Sequence, residues 1–91
     1  MNKGELVALM ATQAKSSKAE AERALNNVLD TVIMALRKGN EINLVGFGSF
    51  RVQKRKAREG RNPKTGQKMH IAAYKQPVFR AGKRMKQACN S

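Results

Sequence analysis

Nine cations fall between Arg51 and Lys75 (Arg51, Lys54, Arg55, Lys56, Arg58, Arg61, Lys64, Lys68 and Lys75) against a single acid, Glu59. Fixed positive charge at that density neutralises phosphates, and Gln53, Asn62, Thr65 and His70, set among the cations, add hydrogen-bonding groups. The chemistry is recognition of a polyanion. Catalysis is not expected. Cys89 and His70 are a nucleophile and a base only in name, since one lies near the chain end, the other lies in the cationic stretch, and no third group orients them. With one histidine and one cysteine there is no ligand set for a metal, and nothing else calls for a cofactor.

Two strands must carry these cations. In Phe50-Arg51-Val52-Gln53-Lys54-Arg55-Lys56-Ala57-Arg58 the parity that holds Phe50 and Val52 goes on to hold Lys54, Lys56 and Arg58, which no core accepts unpaired. The strand therefore runs off the core into solvent. A return leg, Gln67 to Tyr74, alternates with Met69, Ile71 and Ala73 on one face. Between the legs, Gly60-Arg61-Asn62-Pro63-Lys64-Thr65-Gly66 is a turn: Asn bonds the backbone two residues on, Pro presets φ, and Gly66 takes the left-handed conformation. The pattern predicts a β-hairpin arm from 51 to 75. Isolated hairpins are marginal in water, so one this charged implies something it grips.

Composition agrees. With 91 residues and 41% hydrophobic content, the chain can build one domain, and the arm leaves its core near the size at which oligomerisation becomes a usual remedy. Net charge is +13, unevenly placed: residues 1–50 hold six Lys and Arg against five acids (+1), and residues 51–91 thirteen against one (+12). That asymmetry points to nucleic acid, although basic surfaces also adsorb to anionic membranes. A lone Cys89, no apolar run of spanning length and no signal-peptide layout lead us to expect an intracellular, cytoplasmic protein that is not a membrane protein.

In chain order, Asn2 and Glu5 open a helix over Lys3–Ala14, and Ser17 and Glu20 open a second that Gly39 stops. The apolar face of helix 2 (Ala21, Ala24, Leu25, Val28, Leu29, Val32, Ile33, Leu36) widens at Met34 and Ala35, more than one sheet requires. Either helix 1 covers the excess or a second copy does, as an intertwined two-fold dimer; with so short a chain we expect the dimer. Its core would hold Val28, Leu29, Val32, Ile33, Leu36, Leu44, Phe47, Phe50 and Phe79. Glu41–Val45 reads as a strand, Gly46-Phe47-Gly48 as a tight turn, and Gln76-Pro77 as an interruption before a brief strand, Val78–Arg80. Lys83–Cys89 reads as a short basic helix. The fold class is α+β: two helices, a three-stranded antiparallel sheet bearing the arm, and a terminal helix. Residues 1–91 form one domain, divided into a dimerising body with the first strands (1–50), the arm (51–75), and a saddle strand with the last helix (76–91). Helix 2 argues against a helix-turn-helix reader, because its length is mostly apolar and its Glu20, Glu22 and Asp30 would face phosphates.

The motifs Gly46-Phe47-Gly48-Ser49-Phe50, Gly60-Arg61-Asn62-Pro63-Lys64-Thr65-Gly66 and Pro77-Val78-Phe79-Arg80-Ala81-Gly82-Lys83, in this order after two helices, resemble the bacterial histone-like HU and integration-host-factor family across essentially the whole chain. The resemblance implies a dimer whose arms embrace double-stranded DNA in the minor groove with low sequence specificity, bend it with a proline at each tip, and condense the bacterial nucleoid; minor-groove insertion is a property of that class of proteins. Carried over to this chain, Pro63 is the wedge, Arg61 and Asn62 its neighbours, Arg55 and Arg58 arm contacts, and Arg80, Lys83 and Lys86 the saddle. Contacts are also expected at Lys3, Arg51, Gln53, Lys54, Lys56, Lys64, Thr65, Lys68, His70 and Lys75. Nicked, kinked or junction DNA should be favoured. Ala81 before Gly82 resembles the homodimeric HU type, leaving as alternatives a heterodimer with a paralogue, a host-factor-type subunit with sequence preference, or a basic RNA-binding protein. One departure is Ser16, where the family commonly has leucine before the helix 2 cap.

Overall fold

A computed structural model describes all residues, Met1–Ser91, as two units, Met1–Ala35 and Leu36–Ser91. In the first unit, α1 spans Lys3–Ala14 and α2 begins at Lys18, running on to Arg37. Both N-termini are capped as expected: Glu5 donates its backbone N–H to Asn2 Oδ1 at 2.9 Å, and Glu20 donates its own to Ser17 Oγ at 3.1 Å. Each cap satisfies one of the amides that a helix start leaves without a partner. Lys15 turns the corner with φ 53° and ψ 42°, a left-handed conformation that a glycine would adopt at less cost.

The buried core of this unit is Val7, Ala11 and Ala21, with Met10 and Leu25 packed against it. Ser16 and Ala21 occupy the two positions where an apolar pair clamps the entry to a helix, one before the cap and one four residues inside. Here the clamp is missing, and an apolar groove of about 260 Å³ runs past Met10, Ala14, Ser16, Ala21 and Ala24. Filling it with Ser16→Leu is expected to stabilise the fold by about 1 kcal/mol, below the ~1.5–3 kcal/mol of a fully buried leucine because the groove is open. Thermal melts of both proteins at one concentration check this, with a rise of roughly 4–8 °C expected.

In the second unit, β1 (Ile42–Leu44), β2 (Gly48–Arg55) and β5 (Tyr74–Ala81) form an antiparallel sheet in the order β1-β2-β5. A separate ladder pairs β3 (Arg58–Arg61) with β4 (Lys68–Ile71), and α3 spans Lys83–Cys89. Three details differ from the sequence reading. The first strand is shorter than Glu41–Val45. Pro77 does not interrupt its strand: β5 runs straight through it, opposite Val52, because β5 is an edge where a missing N–H leaves no ladder partner unsatisfied. The arm's legs are not continuous, since Lys56–Ala57 and Ala72–Ala73 are unpaired. Three of those four are alanines or follow one, and alanine is both a poor strand former and too small to hold a cross-strand neighbour.

Strand parity gives the sheet two faces. Ile42, Phe50 and Phe79 share one, and Phe79 packs on Phe50 at 4.8 Å and on Phe47 at 5.8 Å between ring centroids. The phenylalanines cluster as expected but are not enclosed: Phe47 is 50% and Phe79 41% exposed. Leu44, Val28, Leu29 and Ile33 are exposed as well, and Val32, Leu36 and Phe50 only half-buried. No large side chain in the chain is fully buried. A single copy is too small to cover its own apolar faces.

Candidate nucleic-acid interface

The tip of the arm is built by the side chains the turn requires. Asn62 Oδ1 accepts the Lys64 backbone N–H at 2.9 Å, and the Asn62 carbonyl accepts that of Gly66 at 2.7 Å. Gly66 has φ +71°, the left-handed value that lets the chain double back, and the Asn62 N–H closes the loop on the Gln67 carbonyl at 2.8 Å. With its neighbours' polar groups satisfied locally, the exposed Pro63 is left at the end of the arm.

Below the tip the two ladders keep one register. Arg55 pairs with Tyr74, and three residues further along each leg Arg58 pairs with Ile71, so the gap inserts no extra residue. Register then brings like charges face to face, Lys54 opposite Lys75 and Arg61 opposite Lys68. Directly opposed cations destabilise a ladder, by some tenths of a kcal/mol to about 1 kcal/mol each, unless an anion lies between or beside them. Glu59 is the one acid within reach, and its register partner is His70. Around the unpaired residues, Arg55, Lys56, Arg58, Tyr74 and Gln76 line a cavity of about 470 Å³, with Arg55 Nε held by Gln76 Oε1 at 2.9 Å. β3 and β4 pack on each other and on no other element to a comparable extent.

The expected contact residues therefore fall into four groups. Arg51, Gln53, Lys54 and Arg55 stand on β2, with Lys75 and Arg80 on β5 and Lys56 in the gap. Arg58, Arg61, Lys68 and His70 stand on the outer ladder, and Asn62, Pro63, Lys64 and Thr65 form its tip. Lys83 and Lys86 are on α3, whose start is fixed by close backbone approach: Gly82 donates to the Phe47 carbonyl at 2.8 Å and Arg84 to the Gly46 carbonyl at 3.1 Å. A methyl group on Gly82 would lie 2.8 Å from the Gly46 oxygen, so only glycine fits there. Lys3 opens α1 in the other unit.

A family model described as "Bacterial DNA-binding protein" matches residues 1–90. The chain belongs to the HU family of bacterial DNA-binding proteins. It is 57% identical to the DNA-binding protein HU of Rickettsia conorii, with 99% of this chain and all of that protein covered, and 52% identical to HU-beta of Serratia marcescens over equal shares. Among solved structures it is similar to Anabaena HU in a cocrystal with DNA, at a TM-score of 0.91 and 49% identity over 98% of this chain and 97% of that one. HU from Thermotoga maritima matches at a TM-score of 0.69 and 29% identity, over 98% of each chain. The HU assignment agrees with the reading from Ala81. No helix of the chain is long and apolar enough to cross a membrane.

Proposed function

We propose that this protein is a dimeric architectural DNA-binding protein of the nucleoid, whose two arms grip the duplex through phosphates and the minor groove with low sequence specificity. The observation that carries the reading is the arm itself, a hairpin whose register sets Lys54 opposite Lys75 and Arg61 opposite Lys68, with Glu59 the single acid among nine cations. A polyanion lying along it turns that self-repulsion into binding. Each leg of about ten residues at ~3.3 Å per residue spans roughly one helical turn of DNA, ~34 Å, so the tip reaches the bases. There Pro63, rigid, apolar and without an N–H, enters a base step leaving no donor unpaired, and offsets part of an unstacking cost of a few kcal/mol.

Nicked, kinked or junction DNA has already lost some of that stacking and binds tighter than intact duplex. Pro63→Ala is expected to reduce bending and to narrow the preference for distorted DNA by roughly tenfold, about 1.4 kcal/mol, while the slope of affinity against salt stays nearly unchanged. Energy-transfer bending assays run beside salt titrations on both proteins test this. A variant that bends as well as the parent would reduce Pro63 to a turn former. Preference for structured RNA over duplex DNA at equal salt would overturn the wider reading.

A further inference from the structure

Another polar cavity lies at the root of the arm. Glu41, Asn43, Ser49, Phe50, Arg51 and Arg80 line a cavity of about 180 Å³ on the three-stranded sheet. Register explains the grouping: Asn43 pairs with Ser49 and Ser49 with Arg80, which puts one side chain from each strand in a row. Continuing the β1–β2 register one step beyond Ile42 and Phe50 sets Glu41 across from Arg51, on the same face. This is the face opposite the phenylalanine cluster. Two guanidinium groups, an amide and a hydroxyl around one hollow form a seat for a phosphate. The carboxylate of Glu41 is out of place in such a seat.

We propose that this hollow is a phosphodiester seat and that Glu41 is its brake: a built-in anion that competes with nucleic-acid phosphate for Arg51 and Arg80 and sets how tightly the sheet holds DNA. The inference rests on the DNA-binding reading above and adds a residue to it that opposes binding. Of the chain's six acids, Glu41 lines this hollow with two arginines expected to meet phosphate, whereas Glu59 stands apart from it on the outer ladder opposite His70. Each phosphate entering the seat must share the two guanidinium groups with this carboxylate, which lowers affinity most where screening is weakest. A brake of this kind keeps the complex reversible.

The test compares Glu41→Gln with Asp30→Asn, which changes net charge equally on α2 and outside the lining of this hollow, by titrating each full-length protein with one duplex of mixed sequence at several salt concentrations. Glu41→Gln is expected to bind roughly three- to tenfold tighter at low salt, with the gain shrinking as salt rises, whereas Asp30→Asn changes affinity by less than about twofold. In a background carrying Arg51→Gln and Arg80→Gln the gain should disappear, because nothing is left for the carboxylate to compete over. Circular-dichroism melts verify that each variant is folded. Equal gains from Glu41→Gln and Asp30→Asn would make the effect one of net charge alone and overturn the proposal. Weaker binding by Glu41→Gln would do so too, by showing that the carboxylate orients the arginines productively. If the unaltered protein failed to bind duplex DNA in a salt-dependent way, the DNA-binding reading itself would fall, an outcome separate from either.

Discussion

Raising the salt from roughly 50 to 200 mM should weaken DNA binding by about 10³- to 10⁵-fold, if on the order of 6–10 phosphates are neutralised. The expectation starts from the placement of charge: residues 51–91 hold thirteen Lys and Arg and one acid, a balance of +12. Each phosphate neutralised releases condensed counterions, and a plot of log affinity against log salt then has a slope of roughly −5 to −9 for that number of contacts. Removing single cations separates two kinds of contact. Lys68→Ala, which also relieves the opposition to Arg61, should flatten the slope by about one unit and leave the hairpin no less ordered, since like charges across a ladder destabilise it. A nearly flat titration would mean that phosphates are not what the arm grips.

Much of this arrangement was legible in the chain because its causes are local. A cap and the amide it satisfies are three residues apart, so Asn2 with Glu5 and Ser17 with Glu20 announce both helices. The tip is equally local, as Asn62 bonds a residue two places on and Gly66 supplies the positive φ. What escaped depends on neighbours distant in sequence. In sequence Pro77 reads as a strand breaker because breaking is its commonest effect, and only the strand order, which makes β5 an edge, removes the penalty. The unpaired gap in the arm follows from alanines at 57, 72 and 73 meeting across the ladder, a coincidence of two segments that neither shows alone.

The seat formed by Glu41, Asn43, Ser49, Arg51 and Arg80 escaped for the same reason. It needs residues from three strands, and the β2–β5 pairing that brings Arg80 beside Ser49 spans the whole arm. An alternation signal was present in Glu41-Ile42-Asn43-Leu44-Val45, but alternation places a residue on a face without saying what lies next to it. The apolar faces show the converse limit. Sequence marks Val28, Leu29, Val32, Ile33 and Leu36 as one stripe of α2, and the structure of one copy leaves most of that stripe open.

That open stripe makes Ile33→Asp the most decisive substitution for assembly. In a single copy Ile33 is 65% exposed, so a charge there would meet water, and exposed substitutions of this kind usually change stability by no more than about 0.5 kcal/mol. If the stripe is the core of a dimer, the same aspartate is buried without a partner at a cost of several kcal/mol, a large part of the ~5–15 kcal/mol that holds a small domain together. The two arrangements therefore predict opposite results from one variant. We expect Ile33→Asp to abolish assembly and, because the buried core of one copy is only Val7, Ala11 and Ala21, to unfold the chain with it. For the unaltered protein, folding linked to association makes the thermal midpoint rise with protein concentration. Sedimentation equilibrium should then find twice the 10.1 kDa chain mass, and circular dichroism should find Ile33→Asp largely unfolded at the same concentration. A folded 10.1 kDa species with a concentration-independent midpoint, unchanged by Ile33→Asp, would show that the chain is stable with its apolar stripe in water. The dimer, and the two-armed grip that depends on it, would then have to be abandoned.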